Sequence, residues 1–421
     1  MSPRLMRGAL GVMLVAVAVL AAVVLPEMRG EALPPVTERP AADAATLERG
    51  AYLARAGNCM ACHTQRGGEP YAGGRPIDTP FGTVYASNLT PDPATGLGQW
   101  SAAAFRRALH EGRSRDGHLL YPVFPYTHTT LVSDDDSDAL HAFLRSLPPV
   151  AQATPSPTLR WPVNTQAALA VWRLLYFKPG RFEPEPARSA EWNRGAYLAQ
   201  GLAHCSACHS ARDALGGSSA SDRWRAGLMP DGHWLAPSLR DPAQAGVAAW
   251  SVEELSDLLQ HGRNASATVM GPMAEVVFDG TQHLRRDDVQ AMAVFLKDLP
   301  AHAEPAPVPQ PADPQQRALG EQIYKNQCAD CHGAAGQGAP GAYPALAGNR
   351  SVVMASHVSA VQAILAGGFA PATPGNPRPY GMPPFRTLLS DTEIAAVASF
   401  VRQSWGNQAE PVTPQAVQRL R

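Results

Sequence analysis

A chain of 421 residues with 35 Lys and Arg against 36 Asp and Glu carries a formal net charge of −1, a balance that gives no reason to expect nucleic acid as a partner. The length leaves room for two to four domains, each large enough to bury a core. Charged residues are only 17 %, and 40 prolines and 36 glycines suit compact, loop-rich modules joined by stiff connectors.

At the N-terminus, Arg4 and Arg7 precede an apolar run from Ala9 to Leu25. A basic flank followed by such a run is an export signal. As a helix the run spans about 26 Å, marginal against a hydrocarbon core of about 30 Å, and Gly30-Glu31-Ala32 offers a small-x-small cleavage site. Residues 1–32 are therefore expected to be either a cleaved signal or a retained anchor. In both cases the rest of the chain lies on the periplasmic side of the inner membrane.

Internal repetition organises the chain after residue 45. Arg49-Gly50-Ala51-Tyr52-Leu53-Ala54 predicts a helix leading into Cys59-Met60-Ala61-Cys62-His63. Trp100-Ser101 opens a second helix that ends near Gly112-Arg113, and Leu140, Phe143 and Leu144 form the apolar stripe of a third. These bound a first module at 45–150. The connector 151–186 contains Thr165–Phe177, an apolar helical stretch with Trp172, Leu175 and Tyr176. It either packs on its own chain or offers an aromatic docking face.

The second module, 187–300, repeats the order. Arg194-Gly195-Ala196-Tyr197 leads into Cys205-Ser206-Ala207-Cys208-His209, a helix runs from Trp250-Ser251 to Gly262-Arg263, and Met292, Phe295 and Leu296 form the closing stripe. Residues 301–314 read as an extended proline-rich linker. In the third module, 315–408, Leu319-Gly320-Glu321 precedes Cys328-Ala329-Asp330-Cys331-His332, and Val397, Phe400 and Val401 close it. Ser251 with Glu254, and Ser390 with Glu393, fit the capping box. A glycine in each first helix would let it cross the last helix closely.

All six cysteines fall into three C-x-x-C-H units, the attachment pattern of c-type haem. Two thiols reach two fixed points on one rigid porphyrin, and the next histidine is already placed beneath the metal. Structural zinc takes four ligands from paired knuckles, and three such units do not divide into closed four-ligand sites. A disulfide framework belongs to short, cysteine-dense chains. The expected cofactors are three covalently bound haem c groups on Cys59, Cys62, Cys205, Cys208, Cys328 and Cys331. His63, His209 and His332 are the expected iron ligands.

The stretch from Tyr71-Ala72-Gly73-Gly74-Arg75-Pro76 through Ser87-Asn88-Leu89-Thr90-Pro91 to Trp100, and Gly271-Pro272-Met273-Ala274-Glu275-Val276-Val277, resemble one family. It is the three-haem cytochrome c subunits of bacterial membrane-bound dehydrogenases, and the resemblance spans about residues 45 to 408. It implies an all-α protein of three tandem cytochrome c modules after the N-terminal signal or anchor helix. It also implies a subunit that takes electrons from a catalytic partner of quinoprotein, flavoprotein or molybdenum type and passes them to ubiquinone or a terminal oxidase. No catalytic residue of its own is expected, since neither a dinucleotide fingerprint nor a Ser-His-Asp arrangement is present.

Methionine opposite histidine raises a haem's potential and suits electron transfer. Met382, in Met382-Pro383-Pro384-Phe385, matches the family's ligand position in the third module, with Met354 read as core. In the second, Met273 is favoured by the family match over Met270 and Met229. The first departs from the pattern. The family's Tyr-Pro-Ala-Met-Pro-Tyr reads Tyr121-Pro122-Val123-Phe124-Pro125-Tyr126, and no methionine lies between Cys62 and Met229. Haem one then takes His128 or stays open, and an open iron raises the rival readings of a haem enzyme or a ligand sensor.

Overall fold

The computed structural model describes residues 18, 22–28, 30–36, 42–264, 267–305 and 308–421. The fold is mostly helical. It departs from a purely helical chain by three short two-stranded antiparallel ribbons among the described residues. The chain forms two compact units, one of Met1–Ala51 with Cys62–Phe182, the other of Tyr52–Ala61 with Glu183–Arg421. The expected connector thus belongs largely to the first unit, and the expected second and third modules share the other.

The first unit takes the start of α1 (Ala44–Ala56), then β1 (Pro76–Thr79), β2 (Gly82–Tyr85), α2 (Ala102–Glu111), α3 (Asp134–Ser146) and α4 (Gln166–Tyr176). β1 and β2 pair antiparallel, with Ile77 opposite Val84. Ser101 caps the start of α2 by accepting from the Ala104 amide, and Gly112 ends it in the left-handed region at φ 58°. α1 crosses α3 at Gly50, where a Cβ would lie 2.6 Å from Phe143 Cβ and 2.7 Å from the Ala139 carbonyl carbon. Only glycine permits that approach, and Arg49 pins it by an ion pair to Asp136 at 2.6 Å.

α4 resolves the two readings of its apolar stretch on one face. Leu169 and Ala170 are buried with Leu119 and Val24, and Arg173 reaches Glu27 at 2.6 Å. Trp172 and Phe177 meet the buried Tyr126 edge-on. The opposite face keeps Leu174 and Leu175 exposed. Residues 22–28 are helical, while most of the Ala9–Leu25 run lies outside the described residues. No helix among the described residues is long and apolar enough to cross a membrane.

The second unit takes α5 (Ala190–Gln200), β3 (Gly227–Leu228), β4 (Leu235–Ala236), α6 (Val252–His261), α7 (Arg286–Lys297), α8 (Pro314–Gln327), α9 (Val358–Ala366), β5 (Gly368–Phe369), β6 (Gly381–Met382), α10 (Asp391–Gln403) and α11 (Pro414–Gln418). α5 crosses α7 at Gly195, whose absent Cβ would fall inside the Ala291 carbonyl. α8 crosses α10 at Gly320, where it would lie 2.7 Å from the Ala396 carbonyl carbon. α6 and α10 both begin with complete capping boxes, Ser251 with Glu254 and Ser390 with Glu393.

Asp288 on α7 gathers three partners. Arg194 grips it with two hydrogen bonds of 2.7 and 2.9 Å, Tyr52 donates its hydroxyl to it, and Arg285 pairs with it. Burial raises the Asp288 carboxyl, but the hydrogen bonds from Arg194 and Tyr52 overcome this and hold it at about 2. Packing also continues beyond residue 408. Val412, Val417 and Leu420 are buried with Val361, Leu365, Ile394 and Ala395.

Candidate haem sites

Each C-x-x-C-H unit starts where a helix stops. After α1, Asn58 turns left-handed at φ 49°, and Cys59–Cys62 form a single helical turn. After α5, His204 turns at φ 36° into the short turn Cys205–Ala207. Cys328 itself ends α8 and opens the turn Ala329–His332. Before the first two motifs a left-handed residue redirects the chain as it leaves the helix.

The three histidines are held identically. His63 Nδ1 lies 2.7 Å from the Ser87 carbonyl, His209 Nδ1 2.7 Å from the Pro237 carbonyl, and His332 Nδ1 3.0 Å from the Pro344 carbonyl. A carbonyl only accepts, so Nδ1 carries the proton and Nε2 keeps its lone pair for a metal. The same bond fixes ring orientation and raises the basicity of the ligating nitrogen. Burial lowers the proton affinity of all three rings, which favours the neutral, ligating form. The backbone acceptors were invisible in the sequence because a carbonyl leaves no side-chain signature.

The cysteines form no disulfide. Burial pushes the Cys205 thiol up to about 12 and the Cys328 thiol up to about 11. Among the described residues no three His, Cys, Asp or Glu converge closely enough to hold a bare ion.

Cys328, Cys331 and His332 form one wall of a cavity of about 860 Å³, and Met382 on β6 lies on its lining with Tyr343 and Tyr380. That volume is at the upper end of cofactor-sized sites, so the residues present fit a haem. Met354 is 2 % exposed, and its carbonyl accepts from Arg402 in the core. Met270, the competitor in the second segment, lines this same cavity. Met273 instead sits in the first turn of Pro272–Glu275, after Gly271 at φ 58°. Met229 opens the turn after β3, its amide donating to the Trp234 carbonyl at 2.8 Å.

Backbone hydrogen bonds give Phe124 and Met273 equivalent positions, each within its own segment. The Leu120 amide donates to the Gly112 carbonyl and the Val269 amide to the Gly262 carbonyl, both at 2.8 Å. Phe124 and Met273 each follow four residues later. Downstream, Thr129 donates to the Leu109 carbonyl as Thr281 does to the Leu259 carbonyl. The extra residues of the second segment are taken up by a π-type turn at Val276–Gly280.

The histidines near Phe124 differ in their commitments. His128 Nδ1 lies 3.0 Å from Thr127 Oγ1, His118 pairs with Asp116, and His141 Nε2 meets the Trp100 carbonyl at 3.1 Å. His110 is 2 % exposed, and its Nε2 has no hydrogen-bond partner among the described residues. Burial pushes His110 and His141 down to about 4.

The cytochrome c family model matches residues 47–148 and 317–405. The chain is 37 % identical over 399 residues to the cytochrome c subunit of a quinone alcohol dehydrogenase from Gluconobacter oxydans (strain 621H), covering 90 % of this chain and 83 % of that protein. It is 38 % identical over 403 residues to the gluconate 2-dehydrogenase cytochrome c subunit of Pantoea cypripedii, covering 90 % of each. It is also 42 % identical over 367 residues to a nicotinate dehydrogenase subunit from Pseudomonas putida, where 85 % of this chain matches only 30 % of the relative.

Proposed function

The chain belongs to the family of cytochrome c subunits of dehydrogenases, and from that premise we propose that it carries electrons from a catalytic dehydrogenase subunit to ubiquinone or a terminal oxidase. The partner is of quinoprotein, flavoprotein or molybdenum type, and the site of action is the periplasmic side of the inner membrane. The observation that carries this reading is the threefold recurrence of one arrangement. A glycine-permitted helix crossing comes first, then a C-x-x-C-H turn, then an imidazole tethered through Nδ1 to a carbonyl.

Haem c, bound through thioethers, supplies one-electron iron chemistry. Cys59 with Cys62, Cys205 with Cys208, and Cys328 with Cys331 would hold three haems in modules 45–150, 187–300 and 315–408. His63, His209 and His332 would present Nε2 to the iron, and Met273 and Met382 would supply sulfur ligands. Phe124 has no donor atom, so the first module takes His128 or leaves a position open. Tight helix crossings keep ligands in place and lessen the rearrangement that accompanies electron transfer.

The haem-enzyme and sensor readings rest on the open position alone. The similarity to dehydrogenase cytochrome subunits across nine-tenths of the chain favours the carrier. The test is purification from the host, followed by substrate reduction assays with and without the co-purifying subunit. Reduction of the haems by substrate only when a large partner subunit is present is the expected result. Reduction of the isolated chain by an alcohol, sugar acid or aldehyde would overturn the proposal.

A further inference from the structure

The cavity beside Cys328, Cys331 and His332 is not walled by the third segment alone. α6 and the loop after it contribute Asp257, His261, Arg263, Asn264, Thr268 and Met270. Arg263 crosses to the third segment, donating from one guanidinium nitrogen to the Gly341 carbonyl at 2.6 Å and from the other to the Gly375 carbonyl at 3.2 Å. Met270 Cε closes against Gly368. Gly375 packs on the His261 ring, where any Cβ would clash.

Charge makes this wall informative. The third segment lines the cavity with Gln, Cys, His, Ala, Gly, Pro, Tyr, Asn, Met and Phe, and contributes no Lys or Arg to it. A haem brings two carboxylates, and a carboxylate taken out of water needs a cation or several donors. Arg263 is the one guanidinium on the lining among the described residues. A guanidinium has five N–H donors, so bonds to two carbonyls leave others free. The equivalent residue of the first unit, Arg113, is committed differently, to the Gly117 carbonyl at 3.0 Å and the Glu27 carbonyl at 2.7 Å.

We propose that Arg263, a residue of the second module, is the cation that pairs with a carboxylate of the haem bound in the third module. This rests on the reading of Cys328, Cys331 and His332 as a haem site. One consequence is that the potential of the third haem is set partly by the module before it. A positive charge near the ring stabilises the reduced, less positive iron and raises its potential.

The test uses the full matured chain, with Arg263→Gln and Arg263→Lys titrated potentiometrically after haem content is measured. Arg263→Gln is expected to shift one step downward by about tenfold in its one-electron equilibrium, or ~59 mV, with the other steps unmoved. Arg263→Lys keeps the charge but lacks the planar fork that spans Gly341 and Gly375. It is expected to stay close to wild type, whereas a purely structural role would be lost in both variants. Equal shifts in the two variants, or no shift in a fully loaded Arg263→Gln protein, overturn the proposal. If Arg263→Gln fails to mature, a tenfold fall in Arg263→Lys overturns it, and a wild-type potential in Arg263→Lys supports it. Absence of haem on the Cys328–Cys331 peptide of the wild-type chain, read by mass, would sink the underlying site instead.

Discussion

Gly320→Ala isolates the helix crossing beside the proposed third haem site. Alanine is the better helix former, and in an open helix the change would stabilise by roughly 1 kcal/mol. Here the added Cβ would lie 2.7 Å from the Ala396 carbonyl carbon and 2.8 Å from Phe400 Cβ. Carbon atoms in contact sit about 3.5–4.0 Å apart, so α8 and α10 must separate by about 1 Å. Neither obstacle is a flexible side-chain tip. One is backbone, and the other is the root of a ring packed on Tyr324 and Trp405. Overpacking of this kind costs about 1–3 kcal/mol, and at this depth the upper part of that range applies. The net is a loss of about 2 kcal/mol, or about 5 °C in melting temperature for a unit of this size. The assay is thermal unfolding of the haem-loaded protein, followed by circular dichroism and the haem absorbance together. Gly180→Ala, where nothing lies within 4 Å of the built Cβ, is the control and should be neutral. A Gly320→Ala protein as stable as wild type would refute the argument that contact outweighs propensity at this crossing.

Asp288→Asn should cost about 2–3 kcal/mol at neutral pH, because it weakens charge-assisted bonds to a nearly buried carboxylate. Since the folded carboxyl sits at about 2, below an ordinary value of ~3.9, its contribution is complete above pH ~4 and lost as pH falls toward 2. The variant's acid limb should therefore be flatter across that window, as denaturant titrations at stepped pH would reveal. Haem per polypeptide, measured after denaturation, should be three, and a value near two would remove one module from the reading. Met382→Leu should convert one haem from low-spin to high-spin in the ferric spectrum, while Met354→Leu should leave ligation unchanged and alter only stability. His128→Ala should either turn one further haem high-spin or change nothing. Three methionine-ligated haems in the wild-type spectrum would contradict both readings of the first module.

Local chemistry was legible from the chain alone. The three C-x-x-C-H units point to the proposed haem attachment because the spacing of two thiols and an imidazole is a covalent constraint, independent of the fold around them. Caps at Ser251 and Ser390 were readable for the same reason, since a hydroxyl and the amides it satisfies lie within one turn. The glycines at 50, 195 and 320 signalled close crossings, and each meets a carbonyl of the opposing helix. What depends on distant segments was not legible. The carbonyls of Ser87, Pro237 and Pro344 orient the histidines from 24, 28 and 12 residues away, and backbone acceptors have no identity in a sequence. Packing of Val417 and Leu420 against Ile394 carries the core past residue 408, because a short tail becomes core only when a groove exists to receive it. Met270 and Met273 stand three residues apart with similar local credentials. Only the tertiary fold sends Met270 to the wall of the cavity around His332, because a side chain's destination is decided by the element it faces.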